Sequence, residues 1–259
     1  MPCIITPWME NGTLLEFVQA NTKACRRSLV VQVAEGIHHL GSLDIVHGDL
    51  KAANILIDKG GKAYIADFGL SFSSSKFEKT KEGSLGHSPY TPPTSNNLLT
   101  VPNTLHITCS RSGVGSARWM APELLLPEAW GKINAKPTFA SDIFAFGMVI
   151  YEVESLSCSY SSLIDVCVNI QTYSGSVPFP ESNNHMAMMS ILDGRRPARP
   201  KGIANDHWIL AEKCWKPDPS LRPTTGSVYV FVRNGVALPQ NFVDEDDTSG
   251  DWREFDLEA

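Results

Sequence analysis

The stretch Ile45–Leu70, IVHGDLKAANILIDKGGKAYIADFGL, decides how this chain is interpreted. It places the carboxylate of Asp49 two residues before the ammonium of Lys51, followed by the amide of Asn54 and a second carboxylate at Asp67. Phosphoryl transfer needs such groups: one that orients the attacking hydroxyl, a cation beside the moving phosphoryl, and oxygen ligands for Mg²⁺. The residue types and their spacing therefore favour that chemistry.

Two short apolar runs separate Asn54 from Asp67. Residues 55–57 read ILI and residues 63–66 read AYIA, with the turn sequence DKGG at 58–61 between them. This pattern predicts a β-hairpin that brings Asn54, at its entry, close to Asp67, at its exit. The alternative is a surface hairpin with scattered charges, which requires two motifs to coincide by chance at this separation.

The stretch resembles the catalytic loop and the magnesium loop of the eukaryotic protein kinases. Their signature is His-Arg-Asp-Leu with a following Asn, and then Asp-Phe-Gly. Here residues 47–54 read HGDLKAAN and residues 67–69 read DFG, so that Gly48 stands where Arg is usual. The resemblance implies a protein-kinase-like fold of class α+β, mainly α. The part represented is the C-terminal lobe, with a small β-hairpin at the catalytic loop.

The resemblance also implies roles for individual residues. Asp49 would orient or deprotonate the substrate hydroxyl, and Lys51 would contact the γ-phosphoryl of ATP. Asn54 and Asp67 would hold Mg²⁺, and Leu56 would form the floor of the adenine pocket. ATP and Mg²⁺ are thus the implied cofactors, and a protein is the implied substrate.

The amino-terminal residues resemble the kinase hinge, where a strand crosses between the lobes and its backbone hydrogen-bonds adenine. An apolar pair at 4–5 precedes a loop marked by proline and glycine. On this resemblance Thr6 is the gatekeeper, Met9 supplies the hinge N–H and C=O, and Glu16 reaches the ribose. An ordinary strand-to-helix loop is the alternative.

Periodicity predicts the main helices. The apolar positions of residues 22–41 recur at helical spacing and end in a glycine, and residues 139–153 are apolar nearly all round, as in a buried central helix. Asp142 is the exception in that helix, and its counterpart in kinases holds the backbone of the catalytic loop. His47 and Phe68 are expected to pack against each other over Asp142. Shorter helices are predicted at 184–193, 206–215 and 224–232.

Two later motifs extend the resemblance. Residues 115–123, GSARWMAPE, resemble the substrate-side loop and the Ala-Pro-Glu motif, in wording typical of tyrosine kinases and the tyrosine-kinase-like group. Residues 214–223, CWKPDPSLRP, match the segment whose Arg pairs with that Glu. A buried ion pair between Glu123 and Arg222 is therefore expected to hold this loop, in a structural role.

The same comparison predicts the domain organisation. Residues 1–18 would be the hinge and the end of the small lobe, and residues 19–239 the C-terminal lobe. Irregular inserts are expected at about 73–115 and 156–175. Residues 240–259 are expected to form a disordered acidic tail, because acidic side chains dominate there.

Composition excludes other classes. A net charge of −6 with no basic stripe argues against a general nucleic-acid binder. Six scattered Cys without a Cys-x-x-Cys favour free thiols in a reducing compartment. No basic segment leads into a hydrophobic run at the amino end, and the most apolar stretch, 143–151, is too short to span a bilayer. A cytoplasmic protein without a signal peptide or membrane segment is predicted, in an oligomeric state that the sequence leaves open.

Lys51, two residues after Asp49, is typical of serine/threonine kinases, so the predicted activity is transfer of the γ-phosphoryl of ATP to protein Ser and Thr hydroxyls. No Gly-x-Gly-x-x-Gly occurs in the 259 residues. The small lobe, with its strand Lys, is expected to be missing and this chain alone to be inactive. Two alternatives stay open: a pseudokinase or regulatory binding module, which Gly48 also favours, and a non-functional truncated gene product, which the inserts favour.

Overall fold

The computed structural model describes residues 6–74, 116–155 and 177–234. The helices are α1 Leu14–Ala20, α2 Arg26–Ser42, α3 Pro122–Leu125, α4 Phe139–Ser155, α5 Asn184–Leu192, α6 Asn205–Cys214 and α7 Thr225–Asn234. The strands are β1 Ile45–Val46, β2 Ile55–Ile57, β3 Ala63–Ile65 and β4 Phe72–Ser73. This helix-rich arrangement with small antiparallel strand pairs confirms the predicted fold class. The predicted acidic tail, the second insert and most of the first lie outside the described residues.

Helix α4 forms the centre of the core. Every residue from Ser141 to Ser155 is buried, and the helix packs against α2 and α6, while α2 packs against α7. The predicted buried central helix is confirmed. The prediction that Asp142 is its exceptional charged residue was wrong, because Glu152 and Glu154 in the same helix are also buried.

Helix α2 differs from its prediction at both ends. It begins at Arg26, after a turn that the Ala24 N–H closes on the carbonyl of Asn21. At the other end, Gly41 lies inside the helix rather than stopping it. A Cβ at Gly41 would lie 2.7 Å from the Thr225 hydroxyl oxygen, so the glycine allows α7 to approach closely. The three shorter predicted helices are present as α5, α6 and α7, within two residues of their expected bounds.

The predicted hairpin is confirmed as β2 and β3, which pair antiparallel with Leu56 opposite Tyr64. The Ala66 N–H donates to the Asn54 carbonyl at 2.8 Å, and this bond closes the base of the hairpin. A second pair was not predicted: β1 pairs antiparallel with β4. Ser73 is therefore part of a strand, so the prediction of an irregular insert from about that residue was wrong there. In the described part of the chain, no helix is both long and apolar enough to cross a membrane.

Candidate active site

The catalytic loop, residues 47–54, is anchored to helix α4 by Asp142. The His47 N–H donates to Asp142 Oδ2 at 2.7 Å, and the Gly48 N–H donates to Asp142 Oδ1 at 2.9 Å. Burial raises the pKa of Asp142 above its ordinary value, while these two donors and His47 oppose the rise. The predicted contact between Asp142 and the loop backbone is present.

The His47 side chain joins this loop to the end of the hairpin. Its Nε2 donates to the Ala66 carbonyl at 2.9 Å, and its Nδ1 accepts from the Asp49 N–H at 3.2 Å, a pattern that fits the Nε2–H tautomer. The edge of the ring meets Phe68, with ring centroids 5.3 Å apart. The expected contact between His47 and Phe68 is confirmed.

Asp49, Lys51 and Asn54 meet at one carboxylate oxygen. Asp49 Oδ2 accepts from Lys51 Nζ at 2.9 Å and from Asn54 Nδ2 at 3.0 Å, and Asn54 Nδ2 also donates to the Asp49 carbonyl at 2.8 Å. Lys51 Nζ further donates to the Ser116 hydroxyl at 2.6 Å. Among the described residues, no side chain or backbone group donates to Asp49 Oδ1. One oxygen of this carboxylate is therefore held in place, and the other can accept a new donor.

Gly48, which stands where the family pattern has Arg, has a left-handed backbone with φ +81°. A Cβ there would lie 3.3 Å from both the Leu70 carbonyl oxygen and Pro137 Cγ. Residues with side chains rarely adopt this backbone conformation. Glycine is thus the residue that this backbone accommodates without strain.

Asp67 follows the hairpin directly, next to Ala66, which is hydrogen-bonded to Asn54. Its φ of +59° and ψ of +68° lie in the left-handed region, which Asp tolerates better than most residues. Asp67 Oδ1 accepts a long hydrogen bond from the Gly69 N–H at 3.4 Å, and the side chain is exposed. The hairpin therefore brings Asn54 and Asp67 to the same end of the sheet, as predicted.

The predicted hinge segment runs beside strand β2. The Asn11 N–H donates to the Ile57 carbonyl at 3.2 Å, the Ile57 N–H donates to the Gly12 carbonyl at 2.9 Å, and Thr13 forms a bridge with Leu56. Leu56 is half-buried at this junction. The predicted adenine floor and the predicted hinge are therefore neighbours.

The remaining hinge residues have the following surroundings. Thr6 is exposed, and Met9 is half-buried with its carbonyl accepting from the Gly12 N–H at 3.2 Å. The Glu16 carboxylate accepts from the Thr13 N–H at 2.8 Å and from the Thr13 hydroxyl at 2.9 Å, which caps the start of α1. These bonds hold the pKa of Glu16 below its usual value. Glu16 thus has a local structural role, and a ribose contact stays a prediction.

The expected ion pair between Glu123 and Arg222 is present and buried. Arg222 Nη1 lies 2.7 Å from Glu123 Oε1, and Nη2 lies 2.8 Å from Oε2, in a two-pronged arrangement. The Arg222 side chain is 0% exposed, and the Glu123 side chain is 3% exposed. The pair connects α3, directly after the substrate-side loop, to the segment that precedes α7.

Comparison with known proteins agrees with this geometry. A family model described as protein kinase domain matches residues 2–230. The chain belongs to the protein kinase family. The match includes the catalytic loop, the hairpin, Asp67 and the Glu123–Arg222 pair.

Individual relatives of this kinase domain match at low identity. A probable serine/threonine-protein kinase of Dictyostelium discoideum is 26% identical over 230 residues, covering 87% of this chain and 11% of the relative. A dual specificity protein kinase of the same organism is 25% identical, covering 86% and 13%. Human ephrin type-A receptor 1 is 28% identical, covering 92% and 20%. The chain therefore spans a small part of the length of these relatives.

The residues proposed to hold Mg²⁺ have suitable donor chemistry. Mg²⁺ prefers oxygen ligands and is usually held by one or two carboxylates together with substrate phosphates. Asn54 uses its Nδ2 on Asp49, which leaves its side-chain oxygen for another partner. Asp67 contributes an exposed carboxylate. The donor set of this kinase domain fits the ion that the family generally uses.

Three contributors to the site were not predicted from the sequence: Ser116, Trp119 and Glu152. Ser116 bonds Lys51, and Trp119 Nε1 donates to Glu152 Oε2 at 2.8 Å. The signals were present, since Ser116 and Trp119 stand in the substrate-side motif, and Glu152 is a charged residue in an apolar helix. Each becomes informative only when its spatial partner is known.

Proposed function

We propose that this chain is the C-terminal lobe of a serine/threonine kinase of the tyrosine-kinase-like group, which transfers the γ-phosphoryl of ATP to protein hydroxyls. The observation that carries the proposal is the arrangement around Asp49. Lys51 and Asn54 hold its Oδ2, whereas its Oδ1 has no donor among the described residues. A carboxylate held in this way is suited to accept a hydrogen bond from a substrate hydroxyl.

Three residues of the chain have separate roles in the proposed reaction. Asp49 Oδ1 accepts the hydroxyl hydrogen bond and orients the oxygen toward the phosphoryl group, and it takes the proton as the new bond forms. Lys51, 19% exposed and bonded to both Asp49 and Ser116, places a positive charge beside the transferring group. Asp142 keeps the loop backbone in position through His47 and Gly48.

Nucleotide binding is assigned to the end of the same loop and to the segments beside strand β2. Asn54 and Asp67 would hold Mg²⁺, which neutralises the charge on the phosphates. Leu56 would lie under adenine, and the backbone of Met9 would bond it, with Thr6 as the gatekeeper and Glu16 near the ribose. The pairing of residues 11–13 with β2 supports this assignment, because it brings the hinge next to Leu56.

The preference for Ser and Thr rests on Lys51 and on the name of one relative, a probable serine/threonine kinase. A second relative is named a dual specificity kinase, a name that does not distinguish Ser and Thr from Tyr. A direct test is a peptide pair that differs only in the acceptor, Ser or Tyr. Equal phosphorylation of the two peptides would contradict the preference.

We further propose that these 259 residues need a phosphate-covering segment that they do not contain. No Gly-x-Gly-x-x-Gly occurs in the sequence. By analogy with other preorganised electrostatic groups, each missing phosphate contact lowers the rate by roughly 10²–10³-fold. The same observation favours the second candidate function, a pseudokinase or regulatory module that binds nucleotide or protein without turnover.

Nucleotide titration separates these functions. The chain is extended at its amino end with the small lobe of a relative, and binding of Mg·ATP is measured calorimetrically for the unchanged protein and for Asp67→Asn. Asp67→Asn is expected to weaken binding at least about tenfold, because a charged Mg²⁺ ligand is lost. Glu35→Gln, which removes an exposed carboxylate on helix α2, is the control and is expected to bind normally. Equal binding by all three proteins would contradict the metal assignment, and binding without turnover would favour the regulatory module.

A further inference from the structure

Glu152 is a buried carboxylate that the assignments above leave without a role. It lies near the carboxyl end of α4 and is 2% exposed. Its Oε2 atom accepts from the Ala52 N–H at 2.9 Å and from Trp119 Nε1 at 2.8 Å. Ala52 belongs to the catalytic loop, between Lys51 and Asn54, and Trp119 belongs to the substrate-side loop. One oxygen atom therefore contacts both loops.

We infer that Glu152 is a positioning residue that sets the spacing between the catalytic loop and the substrate-side loop. Through that spacing it fixes where Lys51 and Ser116 stand relative to Asp49. The catalytic meaning of this spacing rests on the proposed function, whereas the mechanical coupling of the two loops does not.

The kinds of donor involved support this role. Lys51 also joins the two loops, but its side chain is long and flexible and constrains their spacing weakly. A backbone N–H and an indole N–H are fixed to rigid groups, and the helix that carries Glu152 is buried along its length. These two hydrogen bonds therefore define the distance between the loops more closely than Lys51 does.

The far side of the substrate-side loop is also held, by Arg118. Its guanidinium donates to the carbonyls of Pro178, Phe179 and Ser182 and to the side-chain oxygen of Asn184. Trp119, the next residue, is consequently held between this set of bonds and Glu152. A change at Glu152 would release the inner attachment of the loop while the outer one stays in place.

Burial of a carboxyl group here carries an energetic cost that an apolar residue would avoid. Burial raises the pKa of Glu152 to about 8, with Lys51 and the two donors opposing the rise. At pH 7 the side chain is accordingly mostly protonated, and Gln is a close substitute in shape and in hydrogen-bonding groups. This gives a conservative variant that should keep the function and an apolar variant that should lose it.

The test measures amide hydrogen exchange across the full 259-residue chain by mass spectrometry with residue-level fragmentation. Glu152→Met is expected to raise exchange about tenfold at Ala52 and through residues 116–121, because both loops lose a buried hydrogen bond. Glu152→Gln is expected to keep exchange in both segments within about twofold of the unchanged chain. The matched control is Glu154→Met on the same helix. The Glu154 carboxylate is also buried and bonds His207 Nδ1 at 2.6 Å, so its replacement should raise exchange in α6.

The coupling itself is tested by Trp119→Phe, which removes one donor without touching Ala52. If Glu152 couples the loops, exchange at Ala52 rises about threefold or more, since its acceptor is no longer held from the other side. Unchanged exchange at Ala52 in Trp119→Phe, or equal effects of Glu152→Met and Glu154→Met on both loops, would overturn the inference. Neither experiment requires phosphoryl transfer. Failure of the proposed function would therefore appear as a chain that stays inactive when it is extended with a small lobe, although its two loops remain coupled.

Discussion

The ion pair between Glu123 and Arg222 gives a quantitative prediction about stability. Replacing Glu123 by Ala removes two of the five hydrogen bonds that the Arg222 guanidinium makes. The other three go to backbone carbonyls, and the guanidinium also lies 5.1 Å above the Phe144 ring. The positive charge, 0% exposed, stays buried without its counter-ion.

The size of the effect follows from this inventory. Breaking a buried ion pair by removing one partner costs about 3–5 kcal/mol. Because three carbonyls still solvate Arg222, we expect the lower end, about 3 kcal/mol. With a urea slope of about 2 kcal/mol per molar, the unfolding midpoint should fall by about 1.5 M.

The assay is equilibrium urea unfolding followed by far-ultraviolet circular dichroism. Asp193→Ala is the matched control, since it breaks an exposed pair with Arg195, whose side chains are 62% and 54% exposed for Arg195 and Asp193. Such a pair contributes less than about 1 kcal/mol. If Glu123→Ala shifted the midpoint no more than Asp193→Ala does, the reasoning that the buried pair holds this loop would be refuted.

Three further predictions concern pH, backbone and regulation. Because burial raises the pKa of Glu152 from 4.5 to about 8, the folded state binds this proton more tightly than the unfolded state. The free energy of unfolding should therefore fall as the pH rises from about 5 to 8, by up to about 1.4 kcal/mol per pH unit from this group. Urea unfolding of Glu152→Gln should not show this pH-dependent decrease. Gly48→Ala should destabilise the fold by about 1–2 kcal/mol, because alanine must adopt a positive φ there. A decrease in Tm smaller than that caused by Ser220→Ala, a surface substitution, would contradict this prediction. Phosphorylation of Ser or Thr within residues 72–116 should change activity little through residue 48, which has no guanidinium to bind the phosphate; strong stimulation that Ala substitution abolishes would show that another cation does so.

Local patterns predicted the elements on which the site is built. The hairpin at 55–57 and 63–65 follows from two apolar runs around a turn, and its register places Asn54 and Asp67 at one end. A carboxylate in a buried helix must be hydrogen-bonded, and the resemblance to kinases assigned the backbone of the catalytic loop to Asp142 as its partner. These inferences needed only spacing, burial pattern and the family motif.

The features that escaped prediction depend on contacts between distant segments. Glu152 resembles any other helix carboxylate until Ala52 and Trp119 are seen to share its oxygen. Gly41 was predicted to end a helix, whereas it lies inside α2 and allows α7 to approach closely. The strand pair β1 with β4 was missed because two-residue strands carry no periodicity, and its partners lie on either side of the catalytic loop and the hairpin.

The most direct test of the proposed chemistry is a phosphoryl transfer assay with four proteins, each supplied with Mg·ATP and a basic protein substrate. They are residues 1–259 alone, the same chain extended with a relative's small lobe, the extended chain carrying Asp49→Asn, and residues 1–259 carrying Asp49→Asn. We expect no activity from the first and measurable turnover from the second. For the third we expect a loss of about 10²–10⁴-fold with ATP binding retained, because only the hydroxyl acceptor has changed. Turnover by the Asp49→Asn protein close to that of its parent would contradict the assignment of Asp49, and activity of residues 1–259 above that of their own Asp49→Asn variant would contradict the need for a covering segment.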